Sequence, residues 1–141
     1  MLRHSPVLLT GAALLFLAGV LQTADVQAQE IIVKHIGFQL EESIESVTVE
    51  LNNDYVPDFF PIEGDKPRIV FDFKPVSFWD GPTRIKVGGK YIQRIRIHLH
   101  SDTATLRVVL DLNPAEDFYA TPTFFKSKNA CFMKMSIQKN Q

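Results

Sequence analysis

Apolar and polar residues alternate with a period of two along most of the chain from Ile31 onward, the pattern of strands whose successive side chains point to opposite faces. Val47, Val49 and Leu51 alternate with Ser46, Thr48 and Glu50, so Ile44 to Leu51 reads as a half-buried strand, preceded by another over Ile31 to Leu40. Asn52-Asn53-Asp54 is a turn cluster. The short strand after it, Asp58 to Ile62, contains Pro61, which has no N–H to give an interior ladder and so places the strand at a sheet edge. Thr83 to Val87 predicts a further strand, joined to Tyr91 to His100 through Gly88-Gly89, a pair able to take the positive φ angles of a two-residue hairpin turn. Ile92, Ile95, Ile97 and Leu99 do not share one phase, which predicts a bulge near Gln93. Phe118 to Phe125 and Cys131 to Ile137 close the series.

One strand pattern is written twice. Pro67-Arg68-Ile69-Val70-Phe71-Asp72-Phe73-Lys74-Pro75 returns 39 residues later as Leu106-Arg107-Val108-Val109-Leu110-Asp111-Leu112-Asn113-Pro114. Arg, Val, Asp and the closing Pro recur, and Ile69, Phe71 and Phe73 become Val108, Leu110 and Leu112. The apolar members are expected in a core, with Arg68, Val70 and Asp72, and their counterparts, on the opposite face.

These two motifs, with Ile92-Gln93-Arg94-Ile95-Arg96 between them, resemble the AMIN domain over about Ile31 to Gln138. That module occurs beside the catalytic domain of periplasmic N-acetylmuramoyl-L-alanine amidases and at the front of type IV pilus secretins. The resemblance implies two small β-sheets packed face to face and a role in attaching to peptidoglycan. Roughly eight or nine short strands with closely spaced turns, and no helical stretch after the leader, lead independently to an all-β sandwich. If each copy of the repeated strand contributes to its own sheet, the two sheets are related by an approximate internal twofold.

The ends and the composition bound the setting. Met1 to Ala28 reads as a signal peptide, with Arg3 and His4 ahead of an apolar run from Val7 to Leu21 and small residues in Val26-Gln27-Ala28 before the cleavage point. The run is short for a membrane span, so no stable membrane insertion is expected, an uncleaved anchor being the alternative. Removing 28 of 141 residues leaves 113 for one domain, residues 29–141, expected stand-alone in the periplasm. Losing Arg3 and Asp25 with the leader leaves the formal net charge at −1, so the basic footprint of a nucleic-acid binder is missing. A single cysteine, Cys131, forms no intrachain disulfide, and its apolar surroundings predict an inert buried thiol.

Candidate chemistry lies on the polar faces. Arg68 and Asp72, and likewise Arg107 and Asp111, are four apart on one strand face, about 13 Å by strand rise, so they do not pair within a strand. They present hydrogen-bonding groups to a glycan or peptide, or they make cross-strand ion pairs that fix register. Arg94, Arg96, His98 and His100 form a basic stripe able to meet stem-peptide carboxylates, or a solvated face. His98 and His100 alone are too few for a zinc site, and no nucleophile elbow, phosphate loop or amidase zinc set accompanies them. The expectation is therefore a protein that is not an enzyme, uses no cofactor or metal, and binds through candidates Arg68, Asp72, Arg94, Arg96, Arg107 and Asp111. Peptidoglycan is the expected partner, with an envelope protein of a pilus or secretion machine as the alternative. Adjacent aromatics at Phe59-Phe60, Phe78-Trp79, Phe118-Tyr119 and Phe124-Phe125 oblige one ring of each pair to face outward wherever they sit in strands, as binding platforms or as core residues near bulges.

Overall fold

Alternation along the chain resolves into nine strands and, among the described residues, no helix. The computed structural model describes residues 22–25, 27–127 and 130–141. The segment expected as a signal lies mostly outside the described residues; no helix among them is long and apolar enough to cross a membrane.

The strands are β1 (Val33–Glu41), β2 (Ile44–Leu51), β3 (Asp58–Ile62), β4 (Arg68–Phe73), β5 (Arg84–Lys86), β6 (Ile92–His100), β7 (Thr105–Leu112), β8 (Phe118–Ser127) and β9 (Ala130–Lys139). They form two antiparallel sheets, one of order β1-β2-β9-β8 and one of order β3-β4-β7-β6-β5. The five-stranded sheet is thus the middle of the chain, and the four-stranded sheet is closed by its two ends, with β2 against β9. Both sheets contribute to one core. Ile36, Val47, Val49, Met133, Met135 and Ile137 come from the first, and Ile69, Phe71, Phe73, Ile95, Val108 and Leu110 from the second. Two antiparallel sheets sharing one buried layer make a β-sandwich.

Expected details recur in the structure. β3, with Pro61, is an edge strand, and the ladder between β6 and β7 shifts register between Ile92 and Arg94, beside Gln93. β8, an edge strand of the four-stranded sheet, also carries a proline, Pro122, and a proline along an edge blunts pairing with another chain.

Two expectations are corrected. The copies of the repeated strand, β4 and β7, are neighbours in one sheet, so they do not relate the two sheets to each other. Their antiparallel register sets Arg68 opposite Asp111 and Asp72 opposite Arg107, because a motif with Arg first and Asp last is complementary to its own reverse. Nor is Gly88-Gly89 the centre of the hairpin turn. Gly88 takes φ +57°, but the chain reverses over the next residues, with the Gly89 N–H donating to the Ile92 carbonyl at 2.8 Å.

A buried carboxylate governs that turn. Glu45 on β2 shares the inward phase of Val47 and Val49 and is 2% exposed. It accepts hydrogen bonds from the backbone N–H groups of Lys90, Tyr91 and Ile92, the last at 2.7 Å. Buried charge is tolerated where donors satisfy it, and here the donors come from the opposite sheet's hairpin. Gly89 leaves the space: a Cβ there would stand 2.5 Å from the Glu45 carboxylate.

Candidate functional site

The outer face of the five-stranded sheet collects every residue the sequence singles out as a candidate. Directly opposed residues in an antiparallel ladder point the same way, so the registers define rows across the sheet. One row runs Ile62, Arg68, Asp111, Arg94, Lys86; the next Phe60, Val70, Val109, Arg96, Arg84; the next Asp58, Asp72, Arg107, His98. Cations outnumber anions across these rows, on a protein whose formal net charge is −1.

Most of the candidates are engaged with one another. Arg107 grips Asp72 with two parallel bonds, Nε to Oδ1 at 2.8 Å and Nη2 to Oδ2 at 2.7 Å. Arg96 does the same to Asp111, with Nε and Nη2 each at 2.8 Å, and Arg94 adds its own Nε to Asp111. The cross-strand ion pairs weighed from the sequence therefore exist for Asp72, Arg107, Asp111, Arg96 and Arg94. Arg68 differs. It faces Asp111 in register, yet its Nη1 donates a long bond, 3.4 Å, to the Lys66 carbonyl, because Asp111 is already held by the two arginines of β6. At the β3 edge of the same face, Asp58 is paired with Lys74 at 2.8 Å.

The pairing sets protonation. The hydrogen bond from Arg107, opposed by burial and helped by the nearby charges of Arg107, Lys74 and His100, holds the Asp72 carboxyl below the usual carboxylate range. For Asp111 burial is the largest single influence and pushes upward, but the bonds from Arg96 and Arg94 together outweigh it and the net direction is also down. Arg96 and Arg107 are raised in return, by their bonds to Asp111 and Asp72. Both carboxylates stay ionised at neutral pH and fix the guanidinium groups beside them.

Beneath the charged groups lies an apolar floor. Val70 and Val109 point outward but are only 3% and 8% exposed, outside the central core cluster. Their places in the rows, flanked by Phe60 and by long arginine side chains, account for this, since the stems of such residues cover apolar surface while their heads stay wet. Between β5, β6 and β7 an open groove of about 480 Å³ is bounded by Thr83, Arg84, Arg96, His98, Arg107 and Val109. His98 and His100 meet edge to face at 4.5 Å beside these arginines, which disfavour a metal cation there.

Arg84 and Thr83 escaped the sequence reading, although Arg84-Ile85-Lys86 has the same alternation as the stripe on β6. Glu45 escaped too, and its signal was its phase: two residues before Val47, it had to point inward.

The aromatic pairs differ in how they divide, and Phe59 and Phe60 are both exposed although they lie on opposite faces of β3. Phe59 faces Phe71, ring centroids 6.0 Å apart, while Phe60 lies on the outer face; Tyr119 and Phe78 are exposed beside half-buried Phe118 and Trp79. At the far end of the β8–β9 hairpin both Phe124 and Phe125 remain exposed, Phe125 stacked on Phe132 at 5.0 Å. They border a second cleft with Tyr55, Val56 and Cys131. Cys131 is half-buried rather than buried, and burial together with neighbouring Asp54 pushes its thiol pKa up, which favours the protonated thiol.

No curated protein matches the chain. A family model described as the AMIN domain matches residues 35–131, from β1 to the start of β9, and spans the repeated strand, the basic stripe and all six candidate residues. With more than half its length so matched, and with two antiparallel sheets packed on one core, the chain belongs to the AMIN domain family.

Proposed function

We propose that this protein is a non-catalytic binding module that attaches to peptidoglycan in the periplasm, through the outer face of its five-stranded sheet. Membership of the AMIN family supports the class of ligand, and one observation carries the choice of face: arginines held at fixed positions by carboxylates while their side chains stay about two-fifths exposed. Arg has five N–H donors, and Arg96 and Arg107 each use only two in their side-on grip. Such donors bind with little ordering cost because the side chains are already in place. Asp72 and Asp111 serve this arrangement as fixed anions; held ionised, they are poor general acids or bases near neutrality. The test is retention of the purified protein on isolated sacculi. Retention well above that of an unrelated protein of similar charge is expected, and retention equal to that control would remove the proposal.

The cleft at the end of the β8–β9 hairpin favours a second reading, an assembly factor binding an envelope protein. Phe124 and Phe125 are each more than two-fifths exposed there, beside Val56, which is more exposed still, and aromatic anchors of this kind are enriched at protein interfaces. A stoichiometric protein partner that survives muramidase digestion of native envelopes would favour this reading over wall attachment.

A further inference from the structure

We propose that the groove between β5, β6 and β7 is a receptor for a free peptide carboxylate borne next to a small apolar side chain, as at the alanine-terminated end of a peptidoglycan stem peptide. This inference rests on the wall-binding reading and narrows it to one group of the polymer.

Charge comes first. Asp111 is shared by Arg94 and Arg96, so that trio is left with a net positive charge, whereas Arg107 and Asp72 cancel. Arg84 stands opposite Arg96 in the ladder from β5 and adds another cation to the same row. A groove with this balance attracts an anion even though the whole protein does not.

Geometry narrows the anion further. One N–H each from Nε and Nη2 of Arg96 and of Arg107 is spent on Asp111 and Asp72, which leaves both Nη1 hydrogens and the second on Nη2 as free donors. Two immobilised guanidinium groups with spare planar N–H donors match the two oxygens of a carboxylate. The floor then selects what the carboxylate is attached to. Val109, 8% exposed, lines the groove together with the methylene stems of Arg84, Arg96 and Arg107, so a group one carbon from the carboxylate meets apolar atoms there. A methyl fits that floor, while a cationic side chain placed there would face the like charges of Arg84, Arg96 and Arg107. At about 480 Å³ the groove is of a size that takes a short peptide end.

The test titrates the purified protein with diacetyl-lysyl-D-alanyl-D-alanine, with the same peptide carrying a C-terminal amide, and with inorganic phosphate as competitor, followed by amide chemical shifts. The acid is expected to bind with shifts centred on β5, β6 and β7, and the amide to bind at least about tenfold more weakly. Arg84→Gln, which removes a cation without breaking either carboxylate grip, is expected to weaken the acid by a similar factor and leave the melting temperature unchanged. Equal binding of acid and amide, no binding of either, or displacement by phosphate at concentrations equal to the peptide would each overturn the proposal. Sacculus retention is scored in parallel on the same proteins. Retention without any preference for the acid sinks the groove and spares wall attachment, whereas acid-selective binding without retention supports the groove and sinks wall attachment.

Discussion

Arg68 and Arg107 hold equivalent places in the two copies of the strand motif, yet only Arg107 has a carboxylate of its own. The difference comes from the flanking strands. β4 has β3 beside it, where Asp58 lies opposite Asp72 and leaves that carboxylate to Arg107; β7 has β6 beside it, whose Arg94 and Arg96 take Asp111 away from Arg68. Removing Arg107 strands an Asp72 side chain that is only 14% exposed, so Arg107→Ala is expected to cost about 1 to 2 kcal/mol, between the values for surface and buried pairs. Arg68→Ala should leave the urea midpoint within error, and a double-mutant cycle of Arg107 with Asp72 should return most of the loss as coupling. An Arg68 variant as damaged as the Arg107 variant would contradict the asymmetry. Acid should expose the same pairs. Because the folded pKa values of Asp72 and Asp111 lie below the unfolded one, near 3.9 for an ordinary Asp, their contribution is complete above that value and fades as pH falls below it toward the folded values. Unfolding midpoints followed from about pH 6 downward should therefore fall less steeply below about pH 4 in Asp72→Asn than in the parent, and parallel curves would contradict the linkage. That these residues sit on one face and look across to other strands was legible from alternation alone. Which arginine meets which aspartate was not, since the answer depends on strand order, and strand order is fixed by pairings between residues far apart in sequence.

At the scale of elements, strands were more legible than the turn that joins them. Ile44–Leu51, Asp58–Ile62 and the doubled motif declare themselves by alternation and by Pro61, whereas Gly88-Gly89 suggested a turn two residues early. The displacement has a physical source in Glu45, whose carboxylate draws in the N–H groups of Lys90, Tyr91 and Ile92 and so moves the reversal toward them. A tertiary contact has overruled a local preference, which no reading of seven or eight residues in isolation recovers. Glu45→Ala is expected to cost about 3 kcal/mol, because three backbone donors lose their acceptor in a buried place. Gly89→Ala should be destabilising for the same reason, since the new methyl displaces the carboxylate from its donors. Denaturant midpoints would measure both. If the two effects add fully in the double variant, the residues do not act on one contact and the account of the turn fails.

For the whole molecule, the order of strands makes one cooperative unit of two sheets. The four-stranded sheet needs β2, from early in the chain, to meet β9, from late in it, and the segment between them forms the five-stranded sheet that covers their inner face. The repeated strand was legible as a repeat, and its inward residues Ile69, Phe71, Phe73, Val108, Leu110 and Leu112 are buried as expected. Its placement within one sheet was not legible, because the repeat is compatible with pairing to itself and with pairing elsewhere. A shared core has a measurable consequence. Ile137, on β9, and Leu110, on β7, are both fully buried in the same cluster although they belong to different sheets. Truncating either to Ala removes burial and leaves a residual cavity, an expected cost of about 2 to 5 kcal/mol. Trp79, the only tryptophan, packs against that core from the connection between β4 and β5, so its fluorescence reports on that connection and the core beside it, while far-ultraviolet circular dichroism reports on all strands. In the parent the two signals should change at one denaturant concentration, and Ile137→Ala should move the Trp79 transition as far as the dichroism transition despite lying in the other sheet. Separate midpoints, with Trp79 unmoved by a change on β9, would mean that the sheets unfold independently. Any loss of sacculus retention in these two core variants should then track the folded fraction alone, which distinguishes them from changes on the arginine face.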